Sequence, residues 1–373
     1  MKIAMLIHSL GPGGAERAVS VLSRRLAREA EVTVVTLSDE SLDFYGLAPE
    51  VARRPLNLTS TSPTIIHAIA SNRGRVRALR REWERLQPDV IIAFMTTSAV
   101  LALLSARGLP AATIVSERTY PPRMPPGPLW GWLRRWTYPR ASRVVMMTRE
   151  GLDWLAREIP GARGAVIPNP VVYPLPGGSP TVPPGDFIAP GERLLLGVGR
   201  MDKGKQFDHV LRAFAAAVQD NRLDDWRLVI AGDGPERDAL QALASRLGIA
   251  HRFAMPGRVG NMADWYSSAD LYVSSSSYEG FPNTLIEAMA HRTTAVSYDC
   301  DTGPRDIIRN GEDGLLVPLN DEGALAKAVS SLMVDHPRRD AMAERAQDVR
   351  ERFSEDAIVA LWRQNVHACC VAT

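Results

Sequence analysis

The chain has 373 residues, which is too long for one ordinary hydrophobic core and fits two domains that each bury their own. With 45% hydrophobic and 23% charged residues, its composition is that of a globular protein and excludes disordered, collagen-like and disulfide-rich classes. A formal net charge of +2 argues against a dedicated nucleic-acid binder, and three cysteines allow neither a disulfide framework nor a zinc cluster, which favours a reducing cytoplasm.

The first half of the chain alternates short β-rich runs with amphipathic helical runs, which is the pattern of parallel βαβ units. The opening run Lys2–Leu10 predicts a first strand rather than a signal peptide, because it is short and leads into a glycine loop. The uncharged run Val90–Ala106 predicts a buried strand and a helix rather than a membrane span, because Thr96, Thr97 and Ser98 interrupt it. The predicted strands of this half lie near Lys2–Leu10, Glu31–Leu37, Asp89–Phe94, Ala111–Glu117, Arg143–Thr148 and Gly164–Ile167.

A segment dense in proline and glycine, Asn169–Gly191, separates the two halves and excludes both a helix and a central strand there. The strands predicted beyond it lie near Leu194–Gly199, Trp226–Ala231, Arg252–Met255, Leu271–Ser274, Thr294–Tyr298 and Gly314–Val317. Near the end, Ser354 suits a helix N-cap, and Ile358, Leu361, Trp362 and Val366 follow at helical spacing. The predicted parts are therefore an N-terminal domain 1–170, a linker 171–192, a second domain 193–350 and a final helix within 351–373.

The loop Leu10–Arg17, with the sequence LGPGGAER, joins the first predicted strand to a helix. Gly11, Gly13 and Gly14 let backbone amides approach a bound group, and the helix N-terminus favours an anion. Glu16 stands where the dinucleotide-binding fingerprint requires glycine or alanine, so that fingerprint is broken. The loop fits a tight structural turn and a phosphate site equally well.

The loop Gly197–Lys205, with the sequence GVGRMDKGK, also joins a predicted strand to a helix. A diphosphate leaving group gains negative charge as its bond to a sugar breaks. Arg200 and Lys205 can neutralise that charge from one loop without a metal ion. The alternative is an ordinary solvated basic loop.

Two glutamates, Glu279 and Glu287, occur in the stretch SYEGFPNTLIEAMA after the predicted strand Leu271–Ser274. Pro282 and Asn283 suit a helix start, which places Glu279 in the loop and Glu287 in the first turns of the helix. Because a buried, unpaired carboxylate is costly, Glu287 needs solvent or a partner. Such a carboxylate can accept bidentate hydrogen bonds from the vicinal hydroxyls of a sugar or ribose, and the alternative is that it caps a neighbouring backbone.

The pair Asp299 and Asp301 has the D-x-D spacing of metal-binding transferases of another fold. Aspartates at this spacing are common by chance, and Arg200 and Lys205 supply positive charge for the same electrostatic task. The sequence therefore predicts no metal site.

Six stretches resemble glycosyltransferase family 4, whose members are retaining enzymes of the GT-B fold. They read PGGAER, GRMDKGK, AGDGP, PGRV, EGFPNTLIEAMA and DTGPRDII…GEDGLLVP, and they run over nearly the whole chain. Within the family, the likeness points to bacterial N-acetylgalactosaminyltransferases acting on undecaprenyl-diphosphate-linked glycans and to related exopolysaccharide transferases. The resemblance implies α/β architecture with two doubly wound Rossmann-like domains whose parallel sheets face each other across a cleft. The first domain would bind the acceptor, the second the nucleotide-sugar donor, and the final helix would cross back to the first.

The resemblance also implies the roles of individual residues. Arg200 and Lys205 would hold the donor diphosphate, Glu279 would lie against the transferred sugar, and these three are the candidate catalytic residues. Glu287 would bind the ribose of the nucleotide. Further donor contacts would be Gly13 and Gly14 over the diphosphate, Arg258 and Val259 beside the base, and Phe281, Pro282, Asn283 and Thr284 at the sugar and phosphate. The implied reaction is a front-face displacement with retained configuration, without a protein nucleophile, metal ion or cofactor.

The stretch SERTYPP departs from the family pattern, because Arg118 stands where many members carry a histidine. Arginine cannot act as a general base at neutral pH, so a role for Arg118 is electrostatic or hydrogen-bonding. Glu117 and Arg118 are the candidate residues on the acceptor and sugar side.

The segment Pro125–Arg143 of the first domain mixes tryptophans with arginines. Aromatic rings at headgroup depth beside arginines are typical of a segment that binds an anionic membrane surface, and a second basic run spans Asn72–Leu86. The predicted membrane contacts are Trp130, Trp132, Arg134, Arg135 and Trp136. The alternative is that the tryptophans pack into the core. The membrane interpretation predicts a lipid-linked saccharide acceptor and a peripheral protein on the cytoplasmic face of the cell membrane.

Three other functions share features with this sequence. An NAD-dependent oxidoreductase would also place an acid after the second strand, here Asp39 or Glu40, but the broken fingerprint and the Glu279 and Glu287 pair argue against it. A nucleotide-sugar epimerase of the same fold has no obvious use for the aromatic segment. A sugar-nucleotide sensor would need the same residues without turnover. The favoured prediction is transfer of a hexose or N-acetylhexosamine, with UDP-N-acetylgalactosamine as the donor and no nucleic-acid partner.

Overall fold

The computed structural model describes residues 1–59, 65–221 and 223–371. The chain divides into two compact units, one of Met1–Pro170 with Asp356–Thr373 and the other of Val171–Glu355. Each unit holds one sheet whose neighbouring strands pair in parallel. The prediction of two doubly wound α/β domains with parallel sheets is confirmed.

The sheet of the first unit has seven strands in the order β3-β2-β1-β4-β5-β6-β7. Its strands are β1 Lys2–Ile7, β2 Glu31–Thr36, β3 Ala52–Pro55, β4 Val90–Phe94, β5 Ala112–Ser116, β6 Arg143–Met146 and β7 Gly164–Val166. The helices before the second unit are α1 Gly14–Leu26, α2 Ile65–Leu86, α3 Thr96–Ser105, α4 Pro128–Thr137 and α5 Arg149–Glu158. The strand order reverses direction between β1 and β4, which is where doubly wound sheets open a binding crevice.

The sheet of the second unit has six strands in the order β10-β9-β8-β11-β12-β13, with the reversal between β8 and β11. Its strands are β8 Arg193–Val198, β9 Trp226–Ala231, β10 Phe253–Gly257, β11 Leu271–Ser274, β12 Thr294–Asp299 and β13 Gly314–Pro318. The helices that follow β8 are α6 Phe207–Asn221, α7 Arg237–Arg246, α8 Met262–Ser268, α9 Asn283–Ala290, α10 Pro304–Ile307, α11 Glu322–Val334, α12 His336–Ala346, α13 Val349–Arg352 and α14 Glu355–Val371.

The uncharged run of the first half folds as predicted into a strand and a helix. Every residue of β4 is buried, because a parallel strand in the middle of a sheet is covered on both faces and therefore needs no polar alternation. The helix α3 begins at Thr96, directly after the turn residue Met95. In the described part of the chain, no helix is both long enough and apolar enough to cross a bilayer.

Two local predictions were wrong. The strand β3, with the sequence ARRP, was missed because its residues alternate between exposed and partly buried at the edge of the sheet. Such a strand leaves no apolar run to detect. The segment between the halves contains a short 3-10 turn at Pro184–Asp186, although helix was excluded there. From Val171 onward this segment belongs to the second unit, within which Trp265 Nε1 donates to the Val182 carbonyl at 2.8 Å.

The last helix, α14, begins at Glu355, and its residues from Asp356 onward belong to the first unit. The Trp362 ring lies 6.2 Å from that of Phe94 in β4, measured between centroids. Arg363 pairs with Glu29 at 2.8 Å, and Asp356 pairs with Arg25. Ile358, Trp362 and Val366 are buried as predicted, whereas Leu361 is exposed, because it lies just outside the buried face of the helix.

Candidate functional site

The loops that follow β8 and β11 lie side by side at the point where the second sheet reverses its strand order. These strands are direct neighbours, with Leu271 opposite Leu195 and Tyr272 opposite Leu196. The carboxyl ends of parallel strands at such a reversal form the binding crevice of a doubly wound sheet. The two loops that sequence reasoning marked for charge and carboxylate chemistry therefore meet at one place.

Hydrogen bonds join the two loops to each other. Ser275 Oγ donates to the Lys205 carbonyl at 2.6 Å, and the Ser277 amide donates to the Gly204 carbonyl at 2.8 Å. Within the first loop, Asp202 Oδ1 accepts from the amides of Gly204 and Lys205 at 3.0 and 3.2 Å. These bonds fix the backbone on which the Lys205 side chain is mounted.

The side chains of Lys205 and Glu279 form an ion pair, with 2.6 Å between Nζ and Oε1. Ser276 Oγ donates to the same Oε1 at 2.7 Å, and Thr302 Oγ1 donates to the Glu279 carbonyl. Burial lowers the pKa of the Lys205 ammonium, but the Glu279 carboxylate and the nearby negative charge of Asp202 act in the opposite direction, and the pKa is raised on balance. Lys205 is therefore a cation held in a defined position at neutral pH.

The second predicted cation, Arg200, is placed differently. Its side chain is 75% exposed, and its Nε lies 3.9 Å from Asp202 Oδ2 in the same loop. An exposed pair at that distance contributes little to holding a long side chain in one place. Of the two predicted cations, Lys205 is held in place and Arg200 is able to turn toward a ligand.

Glu287 lies in α9 among apolar residues and is only 6% exposed, and the structure shows which group stabilises its carboxylate. Tyr266 of α8 donates its hydroxyl to Glu287 Oε2 at 3.0 Å, and Tyr266 is itself fully enclosed. The helix begins at Asn283 after Pro282, as predicted from those two residues. The partner of Glu287 therefore comes from another helix, because α8 and α9 pack together.

The remaining donor-side candidates lie around the start of α9 or after β10. Phe281 is buried against Phe353, with ring centroids 5.7 Å apart, and Thr284 Oγ1 accepts from the Tyr272 hydroxyl at 2.8 Å. Pro282 is approached closely by Gly303, whose φ of +100° favours glycine and where an added Cβ would lie 2.5 Å from Pro282 Cδ. Arg258 and Val259 follow β10, which β9 separates from β8.

The glycine loop of the first unit forms the start of α1. Gly13 is the N-cap residue with an extended backbone, and its carbonyl accepts from the Arg17 amide at 3.0 Å. A Cβ added to Gly13 would meet the carboxylate of Glu16. Gly14 is the first residue of the helix. The carboxylate of Glu16 therefore lies beside the helix start.

Glu117 and Arg118, the candidates for the acceptor and sugar side, are both enclosed within the first unit. Thr96 Oγ1 donates to Glu117 Oε1 at 2.8 Å, the Tyr138 hydroxyl donates to the same oxygen, and burial raises the pKa of Glu117. Arg118 donates to Asn169, and burial lowers its pKa to about 10. Both side chains are buried at the end of β5, and their predicted contact with the acceptor or the sugar stays a prediction.

The membrane-contact prediction divides along the two faces of α4. Trp132 and Trp136 are 61% and 40% exposed, with parallel rings 6.3 Å apart between centroids. Leu129 on the same helix is 55% exposed, and Met124 before the helix is also exposed. Arg135 is exposed and pairs with Glu158 at 2.7 Å.

The other face of α4 points into the protein, so the predicted membrane contact of Arg134 is wrong, whereas that of the partly buried Trp130 stays a prediction. Arg134 is buried, and its guanidinium lies 4.7 Å from the centroid of the Trp154 ring. Trp130 packs against the hydrophobic core of the first unit. Trp130 and Arg134 lie four residues apart, as do Trp132 and Trp136, so each pair shares one side of the helix.

Sequence reasoning missed the residues that hold the two glutamates. Tyr266, Ser276 and Thr302 supply hydroxyl groups to Glu287 and Glu279. Ser276 lies three residues before Glu279, and a local hydrogen bond at that spacing could have been predicted from the sequence. Tyr266 and Thr302 reach across the fold and left no local signal. Asp299 of the D-x-D pair accepts from Arg305 Nε at 2.8 Å.

Comparison with known proteins finds matches over almost the whole chain. Residues 12–172 match the model of Glycosyltransferase Family 4, and residues 183–349 match that of Glycosyl transferases group 1. The chain is 31% identical over 363 residues, 97% of each protein, to a Campylobacter jejuni α-1,4-N-acetyl-D-galactosaminyltransferase whose substrate is named as GalNAc-α-(1→4)-GalNAc-α-(1→3)-diNAcBac-PP-undecaprenol.

Two solved structures share the fold at lower identity. Sucrose-phosphate synthase from Thermosynechococcus elongatus superposes with a TM-score of 0.83 at 19% identity, covering 100% of both chains. Alr3699/HepE of Anabaena in complex with UDP gives a TM-score of 0.79 at 17% identity, covering 99% of this chain and 100% of that one. These likenesses bear on the fold alone, and they agree with two Rossmann-like domains.

Proposed function

The chain belongs to glycosyltransferase family 4, and we propose that it is a retaining, metal-independent enzyme that transfers N-acetylgalactosamine from its UDP derivative to a lipid-linked oligosaccharide. Glycosyltransferase activity itself follows from the family. The observation that carries the finer proposal is the Lys205 and Glu279 pair at the strand-order reversal of the second unit. A fixed cation and a carboxylate thus lie at the crevice where doubly wound sheets bind their ligands, which supports a nucleotide-sugar site there.

In the proposed reaction, the bond between the sugar C1 and the diphosphate oxygen breaks while the acceptor oxygen bonds to C1 on the same face. The acceptor proton passes to an oxygen of the leaving phosphate, so the chain supplies no nucleophile. Lys205 neutralises the charge that develops on the diphosphate, and the exposed Arg200 turns in to add a second positive charge. Glu279 accepts a hydrogen bond from a sugar hydroxyl, and Glu287 accepts from the ribose.

Relatives support the choice of donor and acceptor. The C. jejuni protein that matches 97% of this chain acts on an undecaprenol-linked glycan and is named for transfer of N-acetylgalactosamine. Alr3699/HepE, a structural relative, has been solved with UDP. We therefore propose UDP-N-acetylgalactosamine and a polyprenyl-diphosphate-linked saccharide as the substrates here.

We further propose that the protein is peripheral on the cytoplasmic face of the cell membrane, where such an acceptor resides. The support is the exposed face of α4, with Leu129, Trp132 and Trp136 adjoining the exposed Arg135. Large apolar patches rimmed by basic residues are characteristic of proteins that lie on an anionic bilayer. The basic helix α2 adds exposed arginines, among them Arg77 and Arg81, to the same unit.

The test is transfer of labelled N-acetylgalactosamine from UDP-N-acetylgalactosamine to a polyprenyl-diphosphate-linked saccharide, with and without EDTA. Extraction of the product and NMR of its anomeric coupling give the configuration. The expected product is the α-glycoside, formed equally well in EDTA. A β-glycoside would overturn retention, loss of activity in EDTA would overturn metal independence, and transfer from a GDP-sugar alone would overturn the choice of donor.

A thermal-shift panel of UDP, GDP, ADP, NAD and several UDP-sugars ranks the donors without knowledge of the acceptor. A ligand that binds only the folded state raises the apparent stability by RT ln(1 + [L]/Kd). Selective stabilisation by UDP and one UDP-sugar is expected. Stabilisation by NAD alone would contradict the proposed donor.

A further inference from the structure

The ion pair of Lys205 and Glu279 joins the two loops on which the proposed donor site is built. Their charged atoms lie 2.6 Å apart. Both side chains are largely enclosed, with 15% of the Glu279 side chain and 25% of the Lys205 side chain exposed. Enclosure reduces solvent screening, so the attraction is stronger than that of an exposed pair. Any anion that binds Lys205 Nζ meets a carboxylate already in contact with it.

Neither partner can move away easily, because the loops are bonded to each other beside the pair. The Lys205 carbonyl accepts from Ser275 Oγ at 2.6 Å, and the Gly204 carbonyl accepts from the Ser277 amide and hydroxyl at 2.8 and 3.1 Å. On the other side, Ser276 Oγ donates to Glu279 Oε1 at 2.7 Å. The carboxylate is thus held at the cation by the fold and not by the ion pair alone.

Among the described residues, Lys205 and Ser276 both bond to the Glu279 carboxylate at Oε1. That arrangement leaves Oε2 for a sugar hydroxyl, while Oε1 stays at the cation. One carboxylate therefore serves two opposing interactions, an attraction to the hydroxyls of a sugar and a repulsion of phosphate oxygens near Lys205.

We propose that Glu279 is an internal counter-anion that competes with phosphate for Lys205 and so weakens retention of the nucleoside diphosphate product more than binding of the sugar-loaded donor. This inference rests on the proposed donor site. The product bears more negative charge on its terminal phosphate than the donor does, because the sugar ester has gone. It has also lost the hydroxyls that bond to Glu279, so the carboxylate repels the product without a compensating hydrogen bond.

Titration calorimetry with UDP and with UDP-N-acetylgalactosamine tests the proposal on the wild-type protein and the Glu279→Gln variant. Glutamine keeps the shape and the acceptor oxygen of the side chain but removes its charge. We expect UDP to bind about tenfold more tightly to Glu279→Gln, the scale of one like-charge contact in a partly solvated site. The affinity for UDP-N-acetylgalactosamine should change less, so that the ratio of the two dissociation constants shifts in favour of UDP.

The matched control is Glu344→Gln, which removes an equal charge from an exposed carboxylate of the same unit that pairs with Arg292. It should bind both ligands as the wild-type protein does. If Glu279→Gln fails to fold, as judged by thermal unfolding, Glu279→Ala removes the same charge and serves in its place.

The outcomes separate this inference from the proposed function. If the wild-type protein binds UDP, but loss of the Glu279 charge leaves UDP binding unchanged, weakens it, or tightens both ligands equally, the counter-anion role is overturned and the donor site stands. If neither UDP nor UDP-N-acetylgalactosamine binds the wild-type protein, the donor assignment falls and this inference falls with it.

Discussion

The hydroxyl of Tyr266 supports Glu287, and removing it with Tyr266→Phe tests how a carboxylate is kept inside the second unit. The two groups are buried and 3.0 Å apart, so the substitution takes one donor from an enclosed carboxylate without changing the shape of the ring. Hydrogen bonds to charged groups contribute about 1.5–3 kcal/mol to stability. We therefore expect the free energy of unfolding to fall by about 1.5–3 kcal/mol.

The same substitution should weaken donor binding if Glu287 holds the ribose. Ribose is remote from the reacting bond, so its contact is equally strong in the ground state and the transition state, and its loss raises KM while kcat stays nearly constant. We expect KM for the nucleotide sugar to rise by roughly three- to tenfold, as loss of orientation amounts to about 1 kcal/mol. Urea denaturation and initial-rate kinetics measure the two effects separately.

Tyr272→Phe is the matched control for Tyr266→Phe. It removes a buried tyrosine hydroxyl from the neighbouring strand β11, but that hydroxyl donates to the neutral Thr284 Oγ1 at 2.8 Å. A neutral bond contributes only about 0.5–1.5 kcal/mol, so the control should be the milder of the two. Equal losses of stability in both variants, or an unchanged KM in Tyr266→Phe, would refute the reasoning that links Tyr266 to a charged, ribose-binding Glu287.

Three further predictions concern other parts of the chain. Lys205→Ala should lower turnover by about 10²–10³, the scale for one preorganised charge-stabilising donor, and single-turnover rates near those of the wild-type protein would count against the assigned role. The double substitution of Trp132 and Trp136 by alanine should abolish sedimentation with anionic vesicles, while the thermal unfolding temperature stays within a few degrees of the wild-type value. By contrast, Trp130→Ala opens the core and should lower the unfolding temperature without direct loss of vesicle contact. Burial raises the folded-state pKa of Glu117, so at intermediate pH the folded protein binds more protons at this group than the unfolded chain does. The free energy of unfolding should therefore fall as the pH rises from about 4.3, the pKa of an unfolded-state glutamate, toward the raised folded-state pKa. Glu117→Gln should therefore gain stability relative to the wild-type protein across that range in pH-dependent urea denaturation, and a constant difference would contradict it.

The sheets were predictable from sequence because most of their strands are buried on both faces. Strands such as β4 and β8 are nearly continuous apolar runs between turn residues, and each appeared at the predicted place with ends that differ by one or a few residues. Strand β3 carries Arg53 and Arg54 in a short edge segment, so its pairing with β2 depends on the neighbouring backbone and not on its own pattern. Local sequence detects burial, and an edge strand is too little buried to be detected.

The candidate site was predictable in its charged groups and not in their neighbours. Loops that follow strands collect at one edge of a parallel sheet, which is where Lys205 and Glu279 both lie. Tyr266 carries no such mark, because it reaches Glu287 through the packing of α8 on α9, which no spacing within either helix specifies. Residue type alone also misplaced Arg134, which is buried over Trp154 although arginine is most often solvated.

The position of the site in the sheet explains how its opposing charges are kept together. Lys205 and Glu279 are 74 residues apart in the chain, and they meet because β8 and β11 are adjacent while β9 and β10 turn to the other side. Their loops therefore rest on two of the central strands of the second unit, and hydrogen bonds between the loops keep the cation and the carboxylate at contact distance. A protein that only needed to grip diphosphate would gain affinity by replacing Glu279 with a neutral residue. That it places a rigidly held carboxylate there instead is what a site requires if it must recognise a sugar and then let the nucleotide leave.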